Sequence, residues 1–98
     1  MSTAEIASDI RIGLPADLGI ERLAELRAQL APTFEMTVLR IDGSAISRVH
    51  GATLQLLAAF CRDRTAAGHV THWQSPSTVL RDAARQLALT PHLQIEEN

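Results

Sequence analysis

The stretch SRVHGATLQLLAAF, residues 47–60, decides how this chain folds, because it delivers a tight turn onto the start of a helix. The turn comprises residues 50–53, and an apolar run follows it. Apolar residues in that run recur at helical spacing, which predicts a helix over 52–67 with a broad buried face and Gly68 as its C-terminal stop. The residues expected to face inward are Leu54, Leu57, Ala58 and Cys61, and Leu56 and Phe60 widen this buried face.

The patterns on either side of this stretch alternate between strand and helix. SDIRIGLP, MTVLRID and HVTHWQ are short segments with alternating or β-branched apolar residues, so each predicts a strand. Apolar stripes predict helices over 20–31, which Pro32 ends, and over 76–88, which Ser75 and Pro76 open as N-cap and first turn. The tail TPHLQIEEN fits either a last strand or a short helix.

Strands that alternate with helices indicate right-handed crossovers, a largely parallel sheet and helices packed against it. The predicted fold class is α/β, with a single domain over residues 1–98. Its central sheet is expected to be mixed, mostly parallel and built of about four or five strands, the usual size for a sheet. The expected core contains Leu23, Leu30, Val38, Leu54, Leu57, Cys61, Leu80 and Leu87, and Val79 is also expected to face inward.

Composition limits the class of protein. The chain has 98 residues, 46% of them hydrophobic, which suits one core and one domain. Nine arginines, no lysines and eleven carboxylates give a net charge of -2, which disfavours partners such as nucleic acid or an anionic membrane. No apolar segment approaches the ~18 residues of a membrane span, and the N-terminus lacks the parts of a signal peptide. We therefore expect no membrane insertion, a cytoplasmic location and a reduced, buried Cys61.

Residues able to carry chemistry are few and scattered. His69 and His72 are three apart on a predicted strand, which points them to opposite faces, and no cysteine or carboxylate completes a metal site. His50 has no nucleophile beside it, and no glycine-rich loop is present to hold a phosphate. Trp73 is interpreted as a core or sheet residue rather than a platform for a ligand. We predict no catalytic residue, no metal and no cofactor, and therefore no enzyme.

The order and spacing of these motifs resemble the STAS domain, the module of sulfate transporters and anti-sigma factor antagonists. Two segments carry the resemblance, VLRIDGSAISRVHGATLQLLAAF and VTHWQSPSTVLRDAARQLAL, and the likeness covers nearly the whole chain. It is strongest to small stand-alone bacterial members found with chemotaxis or lipid-transport components, in which a turn of the form V-D-[ST]-x-[GA]-L-Q-L-L opens a helix. The resemblance implies partner switching. A regulatory protein, such as an anti-sigma kinase, docks on the turn and helix, and phosphorylation of a Ser or Thr in the turn releases it.

The chain departs from the STAS pattern at the turn. His50 occupies the Asp position and Gly51 the phosphoacceptor position, while Leu54 and the three residues after it fit the pattern. Because Gly51 has no hydroxyl, the usual phosphorylation is predicted to be lost. Thr53 and nearby serines are the remaining candidate acceptors, although a Thr in the first turn of a helix more often bonds locally.

The exposed face of the following helix extends the predicted docking surface. Ala59 lies between polar residues and leaves a flat patch that suits a partner helix. With the resemblance, this favours a non-enzymatic adaptor in a sigma-factor, chemotaxis or transporter pathway, acting as a monomer or weak homodimer. The alternatives are a sensor of a small ligand, nucleotide or lipid, with a pocket beside the same turn, and a small hydrolase, which the missing nucleophile disfavours. The predicted partner-binding residues are His50, Gly51, Ala52, Thr53, Gln55, Ala59 and Arg62.

Overall fold

Three parallel strands form the main sheet in a computed structural model, which describes residues 9–95. The elements follow one another as β1 (Asp9–Gly13), β2 (Asp17–Leu18), α1 (Leu23–Leu30), β3 (Val38–Asp42), β4 (Arg48–Val49), α2 (Gly51–Ala66), β5 (Val70–Gln74), α3 (Thr78–Gln86) and α4 (Thr90–Leu93). The strand order in the main sheet is β1-β3-β5, so β3 is central. The α/β class is confirmed.

The main sheet within residues 9–95 has three strands, fewer than the four or five predicted, and it is wholly parallel. β2 and β4 are two residues long each and pair only with one another, as a small second sheet. Just past β1 the Leu14 N–H donates to the Asp42 carbonyl at 3.1 Å, and the ladder ends there, where the Ser44 N–H donates to Asp42 Oδ1 at 2.9 Å and not to a carbonyl of the β1 segment. The tail forms the short helix α4, with Pro91 in its first turn, instead of a strand.

Helices α1 and α2 lie close to their predicted positions. α2 begins and ends one residue before the predicted bounds. α1 is framed by two 3-10 turns, Ile20–Arg22 before it and Ala31–Thr33 after it, so the predicted helix over 20–31 has an α-helical middle and tighter ends. Within residues 9–95 no helix combines the length and the apolar character that crossing a bilayer requires.

α3 is shorter than predicted because its N-cap lies further along the chain. Ser77 Oγ accepts a hydrogen bond from the Leu80 N–H at 3.1 Å, which makes Ser77 the N-cap in place of Ser75. Ser75 instead has φ 50°, in the left-handed region, and therefore belongs to the turn that follows β5. Pro76 lies between them, outside the helix.

The four helices lie on one face of the main sheet. α2 packs against α1, α3 and α4, and its Leu54 and Leu57 share a buried cluster with Leu39 and Ile41 of β3. Residues that alternate with these along β3 are only half-buried, because successive side chains of a strand point to opposite faces. The strand order explains the arrangement, since right-handed crossovers that advance in one direction place their helices on the same side.

Most of the predicted core is confirmed. The buried members are Leu30, Leu54, Leu57, Cys61 and Leu80, and the half-buried members are Leu23 and Val38. Two predictions in α3 are wrong, because Leu87 is 45% exposed and Val79 is 41% exposed. α3 ends at Gln86, so Leu87 lies past the helix, beyond the buried Leu80 and Ala84.

Arg64, near the C-terminal end of α2, is fully buried, which the sequence did not indicate. Its guanidinium lies within hydrogen-bonding distance of five acceptors. Nη1 reaches three carbonyl oxygens in segment 33–36 at 2.7 to 3.1 Å, Nη2 reaches the Val70 carbonyl at 2.6 Å, and Nε reaches Thr71 Oγ1 at 2.9 Å. Burial lowers the pKa of Arg64 because it disfavours the charged form, and the five acceptors offset that cost.

Replacing Arg64 with Met is expected to lower the free energy of unfolding by at least about 3 kcal/mol, since several buried oxygens lose a donor and each such loss costs about 1–3 kcal/mol. Arg62→Met, two residues away on the exposed side of α2, is the matched control and should change stability by less than about 0.5 kcal/mol. Urea unfolding followed by circular dichroism measures both. Equal midpoints for the two variants would show that the buried guanidinium contributes nothing.

Leu57→Ala is expected to destabilise the fold by about 2–5 kcal/mol, because it removes buried methyl groups and leaves a cavity. Leu87→Ala, at the exposed end of α3, should cost less than about 1 kcal/mol. Thermal and urea unfolding of the two variants give the comparison. A cost for Leu57→Ala below about 0.5 kcal/mol would mean that α2 buries a different face.

Candidate partner-binding site

The turn that precedes α2 is fixed by hydrogen bonds to the segment around β2. The Ser47 N–H donates to the Ala16 carbonyl at 2.8 Å, and the His50 N–H donates to the Leu18 carbonyl at 3.0 Å. The parallel pairing of β2 with β4 lies between these two bonds. The turn is therefore a rigid feature of the surface and not a free loop.

His50 is the N-cap of α2. Its backbone is extended, with φ -90° and ψ 150°, and its Nδ1 accepts a hydrogen bond from the Ala52 N–H at 3.0 Å. The His50 carbonyl accepts the Leu54 N–H at 2.9 Å and so begins the helix. An Asp at this position would cap the helix through a carboxylate oxygen, so the imidazole replaces that function with a larger ring. Since Nδ1 is engaged, His50 presents Nε2 at the exposed surface.

Gly51, the first residue of α2, leaves open space at the position of the usual phosphoacceptor. A Cβ at this position would lie 3.7 Å from Leu87 Cδ1, which is ordinary van der Waals contact. A serine would fit at this position without displacing anything.

Thr53 does not lie on the surface, and its predicted place in the docking surface is wrong. Its side chain is fully buried, and Oγ1 lies 2.7 Å from both the Leu18 and the His50 carbonyl oxygens, to one of which it donates. The hydroxyl thus bonds locally and ties α2 to β2. A phosphate on Thr53 would require the start of the helix to separate from β2, so the site disfavours Thr53 as an acceptor.

The remaining predicted contact residues form a surface along α2. Gln55 and Arg62 are exposed, whereas Ala52 and Ala59 are half-buried. Leu87, which the sequence placed in the core, lies next to Gly51 and extends this surface. We call the group His50, Gly51, Gln55, Ala59, Arg62 and Leu87 the docking surface.

A cluster of charges that the sequence did not reveal lies on the β2 side of the turn. Arg48 Nη1 is 2.6 Å from Asp17 Oδ1 and 3.1 Å from Glu21 Oε2. Asp17 Oδ1 also accepts the Gly19 N–H at 2.9 Å. The hydrogen bonds from Arg48 and from the Gly19 backbone hold the pKa of Asp17 below its usual value of 3.8. The cluster links Arg48, two residues before His50, to β2 and to the 3-10 turn that follows it.

Cys61, Trp73 and His69, which were candidates for chemistry, make contacts that hold the fold together. Cys61 is a core residue as predicted, and burial raises the pKa of its thiol to about 12. Trp73 Nε1 donates to the Leu93 carbonyl at 2.9 Å, which fastens α4 to the sheet. His69 lies edge-on to the Phe34 ring, with centroids 6.1 Å apart. The part of the chain that the structure describes contains no group of three or more His, Cys, Asp or Glu side chains arranged to hold a metal ion.

Thr53→Glu is expected to destabilise the protein by at least about 3 kcal/mol, because desolvating a carboxylate outweighs the 0.3–1 kcal/mol that the helix dipole returns. The matched control is Thr78→Glu, at the exposed first position of α3, where the same charge should be neutral or slightly stabilising. Thermal melts of the two variants measure the difference. Normal melting of Thr53→Glu would mean that Thr53 is not packed against β2.

Asp17 should make stability depend on pH. Its folded pKa is lowered, so its contribution is present above the usual value of 3.8 and is lost as the pH falls through the folded pKa. Wild type is therefore expected to be more stable than Asp17→Asn at pH 7, and the difference should shrink below about pH 4. Urea unfolding across this range measures it. A difference that stays constant with pH would contradict an ionised Asp17 paired with Arg48.

Comparison with known proteins adds no relative on which to base a function. No protein-family model matches the chain. No curated protein matches it in sequence. The function proposed below therefore depends on the contacts of the turn and α2, together with the order of motifs in the chain.

Proposed function

We propose that this chain is a non-enzymatic regulatory module that binds a partner protein through the docking surface. The observation that carries the proposal is the combination of a rigid turn with an uncovered leucine beside it. The turn is bonded to β2 at its backbone and through Thr53, while Leu87 stays 45% exposed next to Gly51. A preorganised surface loses little conformational entropy when it binds, and the exposed apolar side chain at one end of it supplies an anchor.

The shape of the docking surface suits a helix or another flat protein element. Ala59 is small and half-buried, so it leaves a shallow depression on the surface of α2 between Gln55 and Arg62. Those two polar residues provide hydrogen bonds and charge at the rim, and Leu87 provides apolar area at one end. This distribution, an apolar anchor with a polar border, is typical of a protein interface.

The order of elements supports a partner of the class that STAS domains bind. β3 ends in Asp42, a turn with His50 and Gly51 opens α2, and Trp73 on β5 precedes α3, in the sequence of elements on which the resemblance depends. We propose that the partner is an anti-sigma factor or kinase, or a chemotaxis or transporter component. We also propose that release by phosphorylation at position 51 has been lost, because Gly51 offers no hydroxyl.

A second candidate function, sensing of a small ligand such as a nucleotide or lipid, is favoured by a groove that lies away from the turn. The groove has a volume of about 460 Å³, within the range of ligand sites, and follows β5 from Val70 to Trp73 towards Ser75, Arg81 and Gln94. A sensor in this chain would use the edge of β5 and not, as the sequence suggested, a pocket beside the turn. Thermal shifts with nucleotides and short-chain lipids, compared between wild type and Arg81→Ala, test this function.

The docking function is tested by titrating the protein with the product of a neighbouring regulatory gene. Leu87→Glu should weaken binding by at least about 2 kcal/mol, because it places an unpaired charge where the docking surface supplies its apolar anchor. Val79→Glu is the matched control, since Val79 is also an exposed apolar residue of α3 but lies at the other end of the helix. Isothermal calorimetry measures both, and thermal melts confirm that both variants fold.

Gly51→Ser provides a second arm of the same experiment. The added hydroxyl fits beside Leu87, so a partner that is a kinase is expected to phosphorylate this variant and not the wild type. Mass spectrometry locates the phosphate. Equal binding of Leu87→Glu and wild type would refute the proposed docking surface. Stoichiometric phosphate on wild-type Thr53 would refute the proposed loss of the switch.

A further inference from the structure

The edge strand β5 of the main sheet has one side that pairs with no strand among residues 9–95. Its other side bonds to the β3 segment, where the Val70 N–H donates to the Thr37 carbonyl at 2.8 Å. In a parallel ladder, residues whose backbone groups bond to one neighbour alternate with residues whose backbone groups point the other way. Thr71 and Trp73 therefore direct their backbone N–H and C=O groups away from β3, towards the open side of β5.

The groove of about 460 Å³ runs along this open side, and Thr71 and Trp73 both line it. It is also lined by Pro76 and Arg81 from the α3 side and by Gln94 from the end of α4. Arg81 Nε donates to the Pro76 carbonyl at 3.4 Å, which holds the arginine beside the groove. The edge of β5 is thus recessed between side chains. A single extended segment can reach it, whereas the edge of a second sheet is too broad to enter.

The opposite edge of the sheet is protected by the chain itself. β1 is the other edge strand, and the outward carbonyl of Gly13 accepts a hydrogen bond from Gln29 Nε2 at 3.0 Å. β1 also contains Asp9 and Arg11, whereas β5, with the sequence VTHWQ, contains no lysine, arginine, acidic residue or proline. Charged residues and proline are the usual means by which natural edge strands avoid pairing with another chain. β5 therefore lacks the protection that β1 has.

We infer that β5 binds an extended segment of a partner protein, which adds to the three strands of the main sheet as a further strand. The bound segment lies at the usual spacing of about 4.8 Å and exchanges hydrogen bonds with the backbones of Thr71 and Trp73. The occupant follows from the chemistry of the edge, since backbone donors and acceptors that alternate along a strand match those of another extended backbone.

The side chains that flank the edge favour a segment with apolar residues. On the face away from the helices, Val70 is 42% exposed, so a β-branched or aromatic residue beside it buries apolar area. On the helix side, the half-buried Trp73 ring is fixed because its Nε1 donates to the Leu93 carbonyl, and it offers an aromatic surface. We therefore expect the partner segment to have the composition of a strand, rich in β-branched and aromatic residues.

This inference does not rest on the docking surface, which lies on α2 and at the end of α3. It concerns the same groove as the sensing of a small ligand, but the two functions differ in what holds the bound molecule. A strand is held by a ladder of backbone hydrogen bonds with a period of two residues, which a nucleotide or lipid cannot form.

Amide hydrogen exchange in the isotopically labelled protein tests the edge directly. In the free protein the Thr71 and Trp73 amides should exchange faster than that of Val70, which is bonded to the β3 segment. Peptides selected from a displayed library of flexible sequences slightly longer than β5 are then added to saturation. Exchange at Thr71 and Trp73 should slow at least about tenfold. The outward amides of Arg11 and Gly13, on β1, are the internal control and should not change.

N-methylated versions of one selected peptide supply matched controls for the bound segment. Methylation removes a single backbone donor and leaves the side chains as they were. At peptide residues that donate to the Thr71 or Trp73 carbonyl it should weaken binding at least about tenfold, which corresponds to ~1.4 kcal/mol. At the residues between them affinity should be nearly unchanged, and the variant Leu87→Glu should bind the unmodified peptide like wild type.

Losses of affinity without a period of two residues, or unchanged exchange at Thr71 and Trp73, would overturn the inference. Slow exchange at both amides in the protein alone would also overturn it, because the edge would then be paired already. Dependence of that slow exchange on protein concentration would assign the edge to a second copy of the chain. A nucleotide or short-chain lipid that shifts the groove resonances, where no selected peptide does, would assign the groove to a small ligand.

Discussion

The buried guanidinium of Arg64 is the interaction on which the rest of the structure depends. It is reached from α2, and its acceptors lie in segment 33–36, which leads into β3, and in Val70 and Thr71 at the start of β5. One side chain thus fixes the entry of two neighbouring strands relative to the longest helix. Lysine could not replace it, because an ammonium group has three donors and no planar fork, whereas arginine has five donors in fixed directions.

The consequences of this arrangement reach the other end of α2. The helix is held at its C-terminal end by Arg64 and at its N-terminal end by Thr53, which bonds to the β2 segment. Between them the apolar face packs on the sheet. The first turn of α2 therefore has a fixed position. The neighbouring end of the sheet is fixed by Gly43, which packs so closely against Trp73 and Leu80 that a Cβ would lie 3.2 to 3.3 Å from their side chains. The docking surface is built on two rigid supports.

The sequence predicts the parts of this fold that depend on repeated apolar residues and misses those that depend on single polar contacts. The three main strands and α2 follow from β-branched runs and helical spacing. β2 and β4 have two residues each, too few for any periodic pattern, and they are held by hydrogen bonds between segments distant in sequence, such as that from the Ser47 N–H to the Ala16 carbonyl. At the candidate site the N-cap role of His50 agrees with the predicted turn, but the burial of Thr53 depends on carbonyl groups that are distant in sequence. The sequence gives no sign that Arg64 is buried, and it wrongly places Leu87 in the core, for the same reason: the surroundings of both residues come from other elements.

Cys61 gives the fold a built-in reporter of its own opening. The thiol is fully buried, and burial raises its pKa to about 12, so at neutral pH it is almost entirely protonated and shielded from reagents. An alkylating reagent can reach it only when α2 lifts from the sheet. The rate of its labelling in excess reagent therefore counts how often the core becomes accessible. Thiol reagents and oxidants would therefore leave Cys61 of the folded molecule unmodified. An oxidised Cys61 would record a past unfolding event.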